Sequence, residues 1–241
     1  MSRRPDRTAP APARSVDVDP GRLGRWAAGF AGRHGGRAVG DEPAPGVLRL
    51  TAVDGSVAVL EPLCPGAPPT GVVLPEDDQP TEGEPWAEDG ESRLDLAALT
   101  TWATPPARIG LVLVRRGGYA VGVGEGDRLA GHKTGRRYVQ SRTAAGGWSQ
   151  QRFARRRGNQ AAALTGAVAD EAARVVLPAA PAALVAGGDR RLVADVLADD
   201  RLAPWAQLPR RELFDLPDPR LAVLELALRR GRAVRVRLTE S

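Results

Sequence analysis

A chain of 241 residues with 42% hydrophobic side chains can bury a large core, which excludes a wholly disordered protein. The net charge of +5 and the isoelectric point near 10.4 favour a polyanionic partner. Cys64 is the single cysteine, which excludes an internal disulfide and a cysteine-built metal site. Because the sequence shows neither a secretory signal nor a stretch of ~20 apolar residues, we expect a cytoplasmic protein, without metal or cofactor.

The first part of the chain predicts three segments of different kinds. Residues 1–18 are rich in Pro, Ala and Arg and predict a disordered tail. Residues 19–63 predict a small unit in which a helix, from Asp19-Pro20 to about His34, accompanies a β-hairpin. The Asp54-Gly55 turn of that hairpin is typical of type I′. Residues 64–92 combine prolines with acids and predict a flexible acidic linker or surface loop.

Residues 93–241 predict an α/β domain with a mixed β-sheet and packed helices. After a short helix near 94–102, strands in quick succession predict an antiparallel meander. These strands are predicted at 108–114, 119–123, 127–131 and 136–142. The elements predicted beyond the meander are, in order, a long helix 149–176, a strand 183–186, a helix 190–199, a strand 208–214, a helix 220–230 and a closing strand or frayed tail 234–238.

Positive charge is concentrated in one part of this domain. No acidic residue occurs between Asp127 and Asp170, although basic residues are frequent there. Each Lys or Arg that contacts a phosphate adds salt-sensitive affinity, so the run predicts an RNA-binding surface. A solvated helix face is the alternative interpretation. The basic residues that we assign to RNA binding are Lys133, Arg136, Arg137, Arg142, Arg152, Arg155, Arg156 and Arg157.

The junction before the long helix has a purely structural interpretation. Ser149 fits the N-cap of the helix, and Trp148 would then pack on Phe153 as a hydrophobic staple. On this interpretation Gly146 and Gly147 only turn the chain.

The same junction also has a functional interpretation. Gln150 and Gln151 lie at a helix N-terminus, where free backbone N–H groups and the helix dipole favour anions. A neutral amide there can orient a water or a hydroxyl while backbone amides stabilise a developing oxyanion. The residues alone leave both interpretations open.

Conventional catalytic sets find little support. A nucleophilic Ser141 or Ser149 would need His132 as its base, because no other histidine is near in sequence. Paired carboxylates are absent from the loop, which argues against glycosidase-type and metal-dependent nuclease chemistry. The glycine-rich run 122–126 is not followed by a predicted helix, so it does not fit a nucleotide-binding loop.

A longer pattern resembles a known family. It comprises His132-Lys133-Thr134, Arg137-Tyr138, Arg142 and the continuous run from Gly146 to Gln160. This pattern resembles the Vms-like release factors, and most of all the actinobacterial-type branch of peptidyl-tRNA hydrolases. These proteins are distant relatives of the catalytic middle domain of the eukaryotic and archaeal class-one release factor. The resemblance covers about 108–238, and more weakly 20–63.

The resemblance implies an RNase H-like domain whose loop and following helix reach the peptidyl-transferase centre. It implies that Gln150, in the pattern Gly147-x-x-Gln150, is catalytic. It further implies that Gly146 and Gly147 let the loop enter a narrow channel, and that the basic residues grip RNA; Trp148, Ser149 and Gln151 would support the loop.

The partners implied are the rRNA of the large ribosomal subunit and peptidyl-tRNA. We expect the protein to act as a monomer and to have no membrane or DNA partner. Two alternatives stay open. One is release of the peptide by cleavage of the tRNA 3′ end, and the other is a non-catalytic factor that binds rRNA or tRNA.

Overall fold

The computed structural model describes residues 14–75, 92–136 and 149–241, with side chains for all of these except 149–157. Contacts divide the chain into two units. The first unit extends to Pro105 and also includes Arg232–Ser241, and the second is Pro106–Gly231. This division differs from the boundary expected at residue 93, because the helix that follows Asp95 packs on the first helix of the chain.

The described residues form eleven β-strands and five α-helices. The strands are β1 Arg14–Val18, β2 Ala38–Ala44, β3 Val47–Ala52, β4 Val57–Glu61, β5 Gly71–Val73, β6 Arg108–Arg115, β7 Gly118–Glu125, β8 Arg128–Gly135, β9 Ala183–Gly188, β10 Arg210–Leu213 and β11 Val234–Thr239. The α-helices are α1 Leu23–Arg33, α2 Leu96–Ala103, α3 Ser149–Val175, α4 Arg190–Leu197 and α5 Leu221–Arg232.

The first unit is a six-stranded sheet in the order β1-β11-β4-β3-β2-β5. The predicted helix and hairpin are present as α1 and the β3–β4 pair, in which Leu50 lies opposite Ala58. The core joins the inward side chains of the sheet to Leu23 and Phe30 of α1 and to Leu99 of α2. The unit is therefore larger than a helix and a hairpin, because β11 is inserted between β1 and β4.

Two segments predicted to lack structure contribute strands. The prediction of a disordered tail is wrong for β1, which pairs antiparallel with β11 and buries Val18 opposite Val234. Within the predicted linker, β5 pairs with β2 and buries Val72 and Val73. Residues 1–13 and 76–91 lie outside the described residues. Pairing with distant strands, rather than local sequence preference, orders β1 and β5.

The hairpin turn is longer than the predicted type I′ turn. Ala52 N donates to Ser56 O at 2.9 Å, and Gly55 N donates to Ala52 O at 3.0 Å, which encloses a three-residue loop. Within that loop φ is positive at Gly55, at +87°, but not at Asp54. The Asp54 carboxylate instead accepts the N–H of Ser56 at 2.9 Å, so the aspartate stabilises the turn through its side chain.

The second unit is a five-stranded mixed sheet in the order β10-β9-β6-β7-β8. The predicted meander is confirmed, since β6, β7 and β8 pair antiparallel, and β9 and β10 join parallel to β6. This order is that of the RNase H-like fold. The third strand of the meander continues to Gly135, beyond its predicted end, and Arg136 lies outside any strand, so the predicted strand 136–142 does not begin there. Residues 137–148 lie outside the described part of the chain.

Helices cover both faces of this sheet. Leu164, Val168 and Ala172 of α3 pack with α4 on one face, against alternate residues of β6, β7 and β9. On the opposite face, Leu224 and Leu228 of α5 lie against β7. The predicted fold class, α/β with a mixed sheet and packed helices, is confirmed.

Candidate nucleic-acid interface

One edge of the five-stranded sheet collects the carboxyl ends of four strands. Strands β9 and β10 run parallel to β6, and β8 does so too because it is antiparallel to β7. The edge therefore contains the ends of β6, β8, β9 and β10, together with the β6–β7 turn. In open α/β sheets, this edge is where ligands commonly bind. We refer to it below as the carboxyl edge.

Helix α3 extends past the carboxyl edge. Its 27 residues span about 40 Å, whereas the eight residues of β6 span about 27 Å. Val176, directly after the helix, packs beside Gly110 near the opposite end of β6, at 2.8 Å from the position of a β-carbon on Gly110. From Gly158 onward, where the side chains of α3 are described, the first deeply buried residue is Leu164. The first turns of α3 therefore lie beyond the sheet.

The structure places some of the predicted site residues and leaves others outside its description. Lys133 near the end of β8 and Arg136 just after it are both exposed. Ser149, Gln150 and Gln151 form the first turn of α3, and the following turns contain the arginines 152 and 155–157, whose side chains are outside the description. Gly146, Gly147, Trp148, Arg137 and Arg142 lie outside the described residues.

Lys133 and His132 are on opposite faces of the sheet. Lys133 lies opposite Val121, whose side chain belongs to the core under α3. His132 lines an open cleft of about 390 Å³ on the α5 side, together with Glu225 and Leu228. The imidazole is thus on the face away from α3. This placement gives no support to a catalytic pair between His132 and Ser149.

The glycines at 122 and 124 have a packing role. Leu224 Cδ2 lies 2.9 Å from the position that a β-carbon would take on Gly122. The Cδ atoms of Leu228 lie similarly close to the corresponding position on Gly124. The run from Tyr119 to Gly124 alternates large side chains on the α3 face with small ones on the α5 face. Close approach of a helix explains these glycines without a nucleotide.

The carboxyl edge contains arginines that the sequence patterns did not single out. Arg115 ends β6 and Arg116 begins the following turn, while Arg190 and Arg191 open α4. Asp189 caps α4 by accepting the N–H groups of Arg191 and Leu192 at 3.0 and 3.2 Å. The clue was the Gly117-Gly118 turn, which places the pair Arg115-Arg116 at a strand end.

Not all of this charge is available to a ligand. The Arg190 guanidinium lies 4.2 Å above the ring centroid of Phe214, and its Nη1 is 3.8 Å from a carboxylate oxygen of Glu212. Such contacts orient Arg190 along α4 and β10.

Within the described residues, no group of three or more His, Cys, Asp or Glu side chains could hold a metal ion. The described part of the edge therefore offers cationic groups to an anion.

Residues 107–237 match the family model described as Actinobacteria/chloroflexi VLRF1 release factor, acVLRF1. That match covers more than half of the 241 residues. The chain belongs to the acVLRF1 family. The predicted resemblance is thereby confirmed, and the predicted function is confirmed at the level of a release-factor family.

Solved structures similar to this acVLRF1 family member include proteins of related description. The Vms1 mitochondrial localization core is 11% identical with a TM-score of 0.41, over 78% of this chain and 75% of that one. The archaeal translation termination factor aRF1 is 13% identical with a TM-score of 0.34, over 93% and 68%. Archaeoglobus fulgidus Pelota is 13% identical with a TM-score of 0.33, over 90% and 61%. The family assignment rests on the sequence match and not on these overlaps.

A search of curated proteins found no match for this acVLRF1 family member. Across the described residues, no helix has both the length and the apolar content needed to cross a membrane.

Proposed function

We propose that this protein is a peptidyl-tRNA hydrolase that frees nascent chains from tRNA on stalled large ribosomal subunits. The observation that carries the proposal is the position of Gln150, in the first turn of a helix that extends beyond the basic carboxyl edge of a release-factor-family domain. A group needed only for packing would not be expected that far from the core.

The reaction breaks the ester between the nascent chain and the tRNA 3′ ribose. A water attacks the carbonyl carbon, the carbonyl oxygen becomes an oxyanion, and the ribose oxygen leaves as a hydroxyl. The products are a peptide with a free carboxylate and an intact tRNA. In this proposal the amide of Gln150 orients the water, and free backbone N–H groups at the start of α3 stabilise the oxyanion. Gly146 and Gly147, with Trp148, Ser149 and Gln151, support the approach of the loop.

The basic residues have a separate role in this proposal. Lys133, at the carboxyl edge, contacts RNA phosphates, and so do Arg136, Arg137 and Arg142. The α3 arginines 152 and 155–157 do the same along the helix. Because these contacts form equally with substrate and transition state, they set affinity rather than the rate of the chemical step.

The test is Gln150→Ala in a release assay with isolated large subunits that carry a labelled peptidyl-tRNA. We expect the release rate at saturating protein to fall at least about 100-fold while binding is retained. Gln160→Ala, the same substitution further along α3, is the matched control and should release at the wild-type rate. A Gln150→Ala variant as fast as wild type would overturn the mechanism.

The tRNA product separates ester hydrolysis from the two alternatives. An intact 3′ end reports ester hydrolysis. A shortened 3′ end reports nucleolytic cutting, which the Trp148-Ser149 pair between the glycines and Gln150 keeps as a second candidate. Unchanged peptidyl-tRNA reports a factor that only binds.

A further inference from the structure

The β6–β7 turn lies directly beside the end of β8. A β-carbon on Gly118, at the exit of that turn, would be 3.6 Å from Arg136 Cα. Gly118 also pairs opposite Arg115 in the β6–β7 ladder. The arginine pair Arg115-Arg116 and the predicted RNA-binding residue Arg136 therefore share one corner of the carboxyl edge, although they are separated in sequence.

The same pair also adjoins the start of α4. Asp189 N donates to Val114 O at 2.8 Å, and Arg115 Cγ lies 3.2 Å from the position of a β-carbon on Gly188. Basic residues therefore occur along the edge from β8, across the β6–β7 turn, to α4, with the Asp189 carboxylate at the start of α4. Sequence order hides this arrangement because the three elements are far apart in the chain.

The ion pairs of Arg115 and Arg116 are long and solvent-exposed. Arg116 Nε is 4.0 Å from Asp189 Oδ2, and Arg115 Nη1 is 3.7 Å from an Asp218 carboxylate that is 90% exposed. Contacts of this kind contribute about 0–1 kcal/mol and are readily exchanged for another anion. Lys133 and Arg136 form no ion pair with any carboxylate of the described residues.

The opposite edge of the sheet is different in charge. There Arg108 donates to Glu125 at 2.8 Å, and Asp127 accompanies Arg128 at 3.8 Å. A polyanion at these strand ends therefore meets both signs of charge, whereas Lys133 and Arg136 at the carboxyl edge have no carboxylate partner among the described residues.

We propose that Arg115 and Arg116 bind the RNA backbone beside Arg136, and so widen the RNA contact from α3 and β8 to the β6–β7 turn. The inference rests on the proposed function, because it takes the ribosome as the substrate-bearing partner. Guanidinium groups at the ends of β6 and β8, on either side of β7, can contact phosphates of the same RNA segment. This contact fixes the orientation of the domain while α3 extends towards its target.

The experiment compares two double variants with the same change of charge. Arg115→Gln/Arg116→Gln removes the proposed contact. Arg128→Gln/Arg210→Gln removes two arginines at the opposite edge, whose ion pairs of 3.8 and 3.7 Å match those at the proposed site. Side-chain exposures of 36% and 61% at Arg115 and Arg116 compare with 89% and 38% at the control pair. The binding probe is the isolated large subunit carrying peptidyl-tRNA, titrated over a range of salt concentrations.

The expected result is a Kd about tenfold higher for the Arg115/Arg116 variant. We also expect its plot of log affinity against log salt to lose about one to two units of slope. The control pair should keep wild-type affinity and slope, and both variants should keep the wild-type melting temperature. Release at saturating protein should be unchanged in the Arg128/Arg210 control. The binding titration separates the inference from the proposed function, since wild-type protein that binds but releases nothing contradicts only the latter.

Three outcomes would overturn the inference. The first is unchanged affinity of the Arg115/Arg116 variant, and the second is an equal loss in both double variants, which would report net charge alone. The third comes from repeating the titration with deproteinised large-subunit rRNA. A loss of affinity on intact subunits that is absent on naked rRNA would assign the arginines to a ribosomal protein.

Discussion

The side chain of Leu228 occupies the space that a β-carbon on Gly124 would need. The contact joins α5 to β7, and Leu224 approaches Gly122 one turn earlier at 2.9 Å from the corresponding position. Two glycines of a strand thus form a shallow groove for a helix. The glycine-rich run 122–126 is therefore explained by the packing of α5 on β7, and not by a nucleotide-binding loop.

Gly124→Ala should therefore destabilise the second unit. The added methyl group cannot be accommodated without moving Leu228, whose Cγ and both Cδ atoms all lie close to the site. Overpacking of this kind costs about 1–3 kcal/mol in free energy of unfolding. Urea denaturation, followed by circular dichroism, measures the change.

The control for this prediction is Gly117→Ala in the neighbouring turn. A β-carbon there meets nothing within 4 Å and φ is not positive, so the change in stability should stay within about 0.5 kcal/mol. In a Leu228→Ala background the cost of Gly124→Ala should shrink by about 1 kcal/mol or more, because the clash is gone. Additive effects would contradict the packing explanation.

The pKa of Asp199 should depend on Arg201. Hydrogen bonds from the guanidinium, with Nε to Oδ1 and Nη2 to Oδ2 both at 2.7 Å, lower the pKa of the Asp199 carboxyl to about 2. Arg201 also pairs with Asp170 of α3. Because the folded state favours the carboxylate, the stabilisation is fully present above the ordinary pKa of 3.8, and is lost as pH falls through about 2.

Arg201→Gln should raise the pKa of Asp199 towards its ordinary value and move the acid-induced unfolding midpoint to higher pH. Carbon-detected NMR titration of the Asp199 carboxyl measures the first effect, and fluorescence at decreasing pH measures the second. Arg174→Gln removes another exposed arginine paired with a carboxylate on α3, and should leave Asp199 unchanged. A wild-type pKa near 3.8 would contradict the prediction.

Trp148→Ala distinguishes helix capping from RNA contact at the predicted staple. Trp148 lies outside the described residues, so its packing on Phe153 remains a prediction from the sequence. If the two rings pack, each alanine substitution should cost about 1 kcal/mol and the double variant should cost less than the sum. Thermal unfolding measures these costs. Unchanged stability with reduced peptide release would instead place Trp148 at the RNA.

Strong local patterns predicted much of the second unit. The apolar run from Ile109 to Val114 is buried along its whole length, and the Gly117-Gly118 pair adjoins it at the predicted turn. Helix α4 begins at the predicted Arg190, because the Asp189 carboxylate satisfies backbone N–H groups of its first turn. These features depend on neighbours in the sequence, which is why the sequence reveals them.

The missed features depend on neighbours in space. Strand β2 contains Gly40, Pro43 and two acids, so its sequence lacks the alternation of apolar and polar residues that predicts a strand. Pairing with β3 and β5 is what holds it as a strand. The sequence suggested a strand at Val234 but could not name β1 and β4 as its partners. The arginines at 115 and 116 were missed for the same reason, since only the sheet brings them to Arg136. The role of Gln150 stays a prediction.

The place of β11 has a consequence for the order in which the protein forms during its own synthesis. Every strand of the second unit precedes β11 in the chain, so that unit can complete its sheet first. The first unit begins earlier in the chain but cannot complete its sheet until β11 has been synthesised, because β11 is the strand that lies between β1 and β4. Until then two strand edges stay open to wrong partners. A variant truncated before Val234 would lack β11, so the sheet of the first unit would have no strand to join β1 to β4.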